Sequence, residues 1–114
     1  LDSSFKKVYN FSKQLKGVED MLGKVITEHG QVVNNQDIMV VHLHLKEGET
    51  IPAHNHPGRQ IFFTVVEGDV EVYLDEKETY PLAPKKVLEF DGEARISVKA
   101  LKESDIFVYL VVKR

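Results

Sequence analysis

Two histidines separated by one residue, His54 and His56, have the side-chain type and spacing best suited to chemistry in this chain. Side chains alternate between the two faces of a β-strand, so both imidazoles would share one face, with Asn55 turned away. Neutral imidazole binds transition metals and hydrogen-bonds polar ligands. Pro57-Gly58 favours a turn, and Gln60 then opens a strand that can bring a third ligand to face them. This pattern predicts a polar or metal site at the two histidines.

The segment around these histidines resembles the first motif of the cupin superfamily. In that motif a glycine precedes His-x-His, a glutamate follows at a short spacing, and a second glycine closes the segment. Gly48, His54, His56 and Gly68 match these positions. The resemblance implies a small β-barrel with a metal or polar ligand held inside it.

The glutamate position of the motif can be aligned in two ways. With three residues after His56 it holds Gln60, and seven residues rather than six then precede Gly68. With four residues after His56 it holds Ile61, which cannot bind a metal. The resemblance therefore implies either a metal site of His54, His56 and Gln60, or two histidines without a third ligand.

The second cupin motif would supply a further histidine from a late strand, after a glycine that Gly92 matches. The histidine position falls on Arg95 in one alignment and on Ile96 in the other, so neither supplies an imidazole. Transition-metal sites usually have three or four protein ligands. We therefore expect weak binding of a divalent ion, with zinc, nickel, iron and manganese as the candidates.

Strand alternation predicts which other side chains line the pocket. Phe62 and Thr64 fall on the face of Gln60 and are predicted to line it. Arg95 could receive a substrate carboxylate through paired hydrogen bonds, but it alternates with polar neighbours and is expected to face water. Ile96 is then the pocket residue of that strand.

Two more histidines, His42 and His44, lie on a predicted strand at residues 38–46. A four-histidine site with His54 and His56 is one possibility. The other four alternating side chains of that strand are all apolar and are expected to face the core. His42 and His44 are therefore expected to point to solvent or to a subunit interface.

The elements that carry these residues are short strands separated by turn signals. This pattern is typical of an antiparallel barrel or double-sheet jelly roll, and the resemblance implies a double-stranded β-helix of the cupin type. A single domain is expected over residues 1–114, with the barrel at about 24–112 and an extension at 1–23. In the extension we predict an edge strand at 5–9 and a short helix or two turns at 10–23, and the barrel is expected to begin with a strand at 24–29.

Composition excludes several functional classes. The net charge is −3, and the 15 basic residues are scattered, so no nucleic-acid partner is expected. No apolar run approaches the roughly 20 residues of a membrane helix, so no membrane partner is expected either. The chain has no cysteine, which rules out disulfides and thiolate ligands and favours a cytoplasmic location.

The apolar run at residues 106–112 predicts a strand that is buried on both faces or covered by a partner. Cupin resemblance implies dimers built by exchange of N-terminal strands, and 5–9 and 24–29 are the strands available for it. We therefore expect a homodimer.

The expected function is that of a barrel protein which binds a divalent metal ion or a small polar ligand in its pocket. The alternative is a metal-dependent enzyme of the dioxygenase, isomerase or decarboxylase type. Its substrate would be a small organic acid, a sugar or a phenolic compound. No catalytic residue can be assigned, and no nucleophile set or phosphate-binding loop is present in the sequence.

Overall fold

The computed structural model of the protein describes residues 22–114, in which all regular secondary structure is β-strand. The nine strands are β1 (Gly30–Asn34), β2 (Ile38–Leu45), β3 (Thr50–His54), β4 (Arg59–Glu67), β5 (Val70–Leu74), β6 (Glu78–Leu82), β7 (Val87–Asp91), β8 (Ile96–Ala100) and β9 (Ser104–Val112). The predicted strand at 5–9 and nearly all of the predicted helix at 10–23 lie outside the described residues.

The strands form two antiparallel sheets. One has five strands in the order β1-β2-β9-β4-β7, and the other has four in the order β3-β8-β5-β6. One cluster of buried apolar side chains includes residues of both sheets, and alternate residues of β5, β8 and β9 are among them. The prediction of an all-β, double-sheet barrel of the double-stranded β-helix type is confirmed. No helix in residues 22–114 is long and apolar enough to cross a bilayer.

The apolar strand β9 lies in the centre of the five-stranded sheet, between β2 and β4. Ile106, Val108 and Leu110 point into the core and are at most 9% exposed. Phe107 and Tyr109 are half-buried on the outer face of the sheet, where their rings stack with centroids 6.4 Å apart. The apolar run is therefore a central strand, with one face in the core and the other half-buried.

The predicted strand at residues 24–29 is wrong, because this segment has no regular secondary structure. The strand that pairs with β2 is instead β1, which begins at Gly30. The Asn35 side chain accepts hydrogen bonds from the backbone N–H groups of Asp37 and Ile38, at 2.8 and 3.0 Å. This turn joins β1 directly to β2, so the residues immediately before the turn form the hairpin.

Candidate ligand-binding cavity and outer histidine cluster

A cavity of about 320 Å³ lies between the two sheets. Its walls are almost entirely apolar side chains, among them Met39, Val41, Leu43, Ile61, Phe63 and Ile96. His54 and His56 also line it, and their rings lie perpendicular with centroids 4.8 Å apart. The protein thus has an apolar cavity with two adjacent imidazoles in its wall.

The orientation of His54 is set by its own strand. It is the last residue of β3 and pairs with Ile96 of β8 across the four-stranded sheet. Its ring Nδ1 lies 2.9 Å from the carbonyl oxygen of Pro52. A carbonyl oxygen only accepts hydrogen bonds, so this contact places the proton on Nδ1 and leaves the lone pair on Nε2. His54 can therefore accept a hydrogen bond through Nε2.

The position of His56 is set by a glycine of the neighbouring loop. The N–H of His56 donates to the carbonyl oxygen of Gly92 (2.8 Å), and the N–H of Gly92 donates to that of Arg59 (2.7 Å). A side chain at position 92 would overlap the carbonyl oxygen of His56 and come within 2.7 Å of that of Arg59. The glycine that matches the second cupin motif is therefore required for close packing of the histidine loop.

The electrostatic surroundings of His56 favour the neutral imidazole. Burial is the main cause that lowers the pKa of His56 below its ordinary value of 6.5, and the nearby charges of His54 and Arg59 lower it further. The ring is therefore uncharged at neutral pH and can both donate and accept a hydrogen bond.

Gln60 points away from the cavity. Its amide nitrogen donates to the Glu89 carboxylate of β7 (3.1 Å), on the outer face of the sheet. Ile61, which is 1% exposed, takes the inward position and lines the cavity. Of the two motif alignments, the one with four residues after His56 describes the structure, and the third-ligand position is apolar.

The prediction that Phe62 and Thr64 line the cavity is wrong, because the inward-facing residues of β4 are shifted by one position. Phe62 and Thr64 share the outer face with Gln60, and the Thr64 hydroxyl donates to the carbonyl oxygen of Phe107 (2.8 Å). Phe63, 1% exposed, lines the cavity in their place. A shift of one residue moves every side chain of a strand to the other face. Both faces of β4 are rich in apolar residues, so their pattern does not determine the inward face.

Ile96 and Arg95 point in opposite directions, as strand alternation predicted. Ile96 is 5% exposed and lines the cavity. Arg95 is exposed, and its guanidinium donates to the carbonyl oxygen of Ala53 (3.1 Å) instead of reaching into the cavity.

The donors of the cavity do not fit a resident metal ion. Among residues 22–114, two imidazoles line it, and the remaining polar residue of its wall is Gln31, which is exposed on β1. Metal sites in proteins usually use three or four protein ligands. Here the position where a third would be expected holds Ile61. The predicted set of His54, His56 and Gln60 is thus not brought together.

The outer face of the five-stranded sheet carries a second group of polar residues, here called the outer histidine cluster: His29, His42, His44, Glu103 and Asp105. One oxygen of Asp105 lies 3.0 Å from Nε2 of His42 and 3.1 Å from Nδ1 of His44. The other ring nitrogen of His44 lies 2.8 Å from Glu103. His42 and His44 are thus on the opposite side of the sheet from the cavity, and a four-histidine site does not form.

Hydrogen bonds shift two pKa values within the outer histidine cluster. The bond to Asp105, followed by the bond to Glu103, raises the pKa of His44 above 6.5. Correspondingly, the bond from His44 is the main cause that lowers the pKa of Asp105. Sequence reasoning did not identify either carboxylate, because the pairing of β2 with β9 that brings them to the histidines has no local signal.

Several solved structures are similar to this chain. A conserved protein of unknown function from Streptococcus pyogenes has a TM-score of 0.66 and 23% identity, over 74% of this chain and 72% of that one. KdgF from Halomonas sp. has a TM-score of 0.65 and 25% identity, over 74% and 78%. An RmlC-like cupin from Desulfovibrio desulfuricans has a TM-score of 0.67 and 20% identity, over 81% and 92%.

A search of curated protein sequences found no match to the chain. The family model described as "Cupin domain" matches residues 41–112, which run from β2 to the end of β9. This range contains the histidine motif, its two glycines and Gly92. It covers well over half of the sequence, and the strand arrangement agrees with it. The chain therefore belongs to the cupin domain family.

Proposed function

We propose that this protein binds a small, largely apolar molecule in its cavity and holds the polar group of that molecule against His54 and His56. The observation that carries the proposal is the composition of the cavity wall, which, as far as the described residues form it, is apolar except at the two imidazoles and Gln31. A volume of about 320 Å³ suits a small ligand. The sequence predicted a small polar ligand; the apolar wall indicates instead a ligand that is polar at one end only.

The chemistry of the imidazoles favours a hydroxyl as that polar end. His54 presents a lone pair at Nε2, since its Nδ1–H is used by Pro52. His56 is kept uncharged by its lowered pKa. In the part of the chain that the structure describes, no lysine or arginine side chain lines the cavity to pair with a carboxylate. A small phenol or alcohol is therefore the preferred class of ligand.

The alternative function is a metal-dependent enzyme that acts on a small organic acid, sugar or phenolic compound. Membership in the cupin family supports it, because cupins include many metal-binding proteins. The apolar residue Ile61 at the third-ligand position argues against it. Elemental analysis of protein purified without a chelator or a polyhistidine tag separates the two functions, because the alternative requires metal at a stoichiometric level. Any such metal would have to be assigned to the cavity, for example by its loss in a His54→Ala/His56→Ala variant.

The binding proposal can be tested with two probes that differ by one hydroxyl, p-cresol and toluene. Binding is followed through the amide signals of the cavity residues in NMR titrations. Wild-type protein should bind p-cresol roughly 5-fold more tightly than toluene, because one net hydrogen bond contributes about 1 kcal/mol. The His54→Ala/His56→Ala variant should bind the two probes equally, and 4-methylbenzoate should bind more weakly than p-cresol to wild type.

His29→Ala is the matched control, because it removes an exposed imidazole outside the cavity and should leave both affinities unchanged. The dispersion of the amide spectrum shows whether each variant is folded. A hydroxyl preference that survives in the double variant, or no binding of either probe at millimolar concentration, would contradict the proposal.

We also propose that the protein is a cytoplasmic homodimer. The absence of cysteine supports the location. The half-buried rings of Phe107 and Tyr109 on the outer face of the sheet support an association through that face. Strand exchange by residues 24–29 is no longer part of this proposal, because they form no strand.

A further inference from the structure

The outer histidine cluster lies on the face of the five-stranded sheet that the cavity does not use. Its central pair, His44 and Asp105, are direct cross-strand partners on β2 and β9. His29 immediately precedes β1, whose first residue Gly30 pairs with His42. The centroid of the His29 ring lies 4.4 Å from that of His42, with the two rings tilted by 34°, and the ring of His29 meets that of His44 edge-on at 5.9 Å. Strands β2 and β9, together with the residue that leads into β1, therefore bring these side chains together.

We propose that His29, His44 and Asp105 bind a divalent transition-metal ion on this outer face. One ligand atom from each of the three lies within 4.8 Å of the others. Metal–ligand bonds of about 2.0–2.2 Å would place such atoms roughly 3.4 Å apart around a tetrahedral ion. His29 is exposed and outside the strands, so a change of its rotamer can close the remaining distance. Water would complete the coordination sphere.

The residues around these three ligands are arranged as outer-shell partners of a metal site. The Nε2 of His44 lies against the Glu103 carboxylate at 2.8 Å, which leaves Nδ1, on the side of Asp105, as the ligating nitrogen. Histidine ligands of metals usually donate their other N–H to a carboxylate or carbonyl in this way. The Asp105 carboxylate is itself held by His42, whose second nitrogen lies 3.1 Å from the carbonyl oxygen of Glu28.

Both ring nitrogens of His44 face a carboxylate, Asp105 at Nδ1 and Glu103 at Nε2. A carboxylate only accepts hydrogen bonds, so the contact between Asp105 and His44 needs either a proton on Nδ1 or a metal ion in its place. Imidazole nitrogens with one carboxylate suit zinc, nickel, cobalt or copper, whereas magnesium and calcium prefer sites made of oxygen alone. Zinc and cobalt are thus suitable probes, and magnesium is the negative control.

The chain has five histidines, so their ring signals can be resolved and assigned individually by NMR. The experiment adds substoichiometric Co²⁺ to untagged full-length protein at pH 7.5. We expect paramagnetic broadening of the signals of His29, His42 and His44, while those of His54 and His56 are unchanged. Broadening of the cavity histidines first, or of no histidine at an equimolar concentration of a few hundred micromolar, would overturn the proposal.

Calorimetric titration with Zn²⁺ then identifies the ligands. His29→Gln and Asp105→Asn should each weaken binding at least 10-fold, and Glu103→Gln should weaken it about 10-fold through its effect on His44. His54→Gln/His56→Gln is the matched control and should leave the affinity unchanged. Magnesium should give no binding heat. Zinc binding that is unaffected by His29→Gln and Asp105→Asn, or that is lost in the cavity variant, would refute the assignment. His29→Gln alters an exposed residue outside the strands, so it should leave the fold intact.

Discussion

The carbonyl oxygen of Gly92 accepts a 2.8 Å hydrogen bond from the backbone N–H of His56, and the two residues pack so closely that position 92 has no room for a side chain. This contact joins the loop before β8 to the loop between β3 and β4. It holds the His56 ring at the cavity, and it gives a backbone N–H or carbonyl group of each loop a hydrogen-bond partner. The position of the second histidine therefore depends on a glycine far away in the sequence.

Gly92→Ala should lower the free energy of unfolding by about 2 kcal/mol, because the added methyl group must displace the backbone of the His56 loop. Urea denaturation measures this change, and the amide shift of His56 should move with it. Gly23→Ala is the matched control, since no atom of residues 22–114 lies within 4 Å of a Cβ added there. Its expected effect is within about 0.5 kcal/mol. Equal stabilities of the two variants would contradict the proposed packing role of Gly92.

The ring of His56 should titrate below pH 6.5, because burial, together with the charges of His54 and Arg59, lowers its pKa. The unfolded chain then binds this proton more readily than the folded one. The stability conferred by the neutral ring is complete above about pH 6.5 and decreases as the pH falls towards the folded pKa. NMR titration measures the pKa. His56→Gln should lose less stability than wild type between pH 7.5 and 5.5, and an equal loss would contradict the shift.

His44 should titrate above pH 6.5 in protein kept metal-free with EDTA, because its bonds to Asp105 and Glu103 favour the charged ring. The pH dependence of stability is therefore opposite in sign to that caused by His56. The stabilisation by charged His44 is complete below about pH 6.5 and is lost as the pH rises through the folded pKa. Asp105→Asn removes the carboxylate that is the main cause of the raised pKa, and it should lower the pKa of His44 towards 6.5. An NMR titration in which the variant and wild type coincide would show that the hydrogen bond does not form.

Adding an imidazole at the third-ligand position should create a metal site in the cavity. Ile61 points inward, so Ile61→His places a third ring beside His54 and His56. Three histidines are a known zinc ligand set, and we expect this variant to bind one more equivalent of Zn²⁺ than wild type in calorimetry. Gln60→His is the matched control, because Gln60 points to Glu89 outside the cavity and should add no such site. An additional bound Zn²⁺ in Gln60→His but not in Ile61→His would show that residue 60, and not residue 61, faces the cavity.

The proposed homodimer should have twice the 13.0 kDa mass of the chain in light scattering at tens of micromolar protein. Tyr109→Glu places a charge on the outer face of β9 and should shift the protein towards the monomer. Thr79→Glu, at an exposed position of the other sheet, is the control and should leave the mass unchanged. Deletion of residues 1–23 tests whether the N-terminal segment is exchanged, and a 13 kDa mass for wild type would refute the dimer.

Local patterns in the sequence were sufficient for the barrel and for much of its geometry. Turn residues and alternation predicted a chain of short strands, among them 38–46 and 106–112, and alternation placed His42 and His44 on the outer face of β2. The spacing of His54 and His56 indicated two adjacent imidazoles at one site. These features depend on neighbouring residues along the chain, so their physical cause is contained in short segments.

The inward face of β4 was decided by the tertiary structure. Ile61, Phe63 and Val65 alternate with Phe62 and Thr64, so both faces are apolar enough to be buried. The turn at Gly58 and the pairing of β4 with β7 and β9 determine which set faces the core. That choice placed Ile61 rather than Gln60 in the third-ligand position.

The outer histidine cluster likewise depended on contacts between distant segments. His44 and Asp105 are 61 residues apart, and they meet because β9 inserts between β2 and β4 in one register. The sequence alone determined that the chain forms a small β-barrel and which histidines share a strand face. Only the folded sheets decided which side chains oppose them, because strand register is fixed by the packing of the whole core.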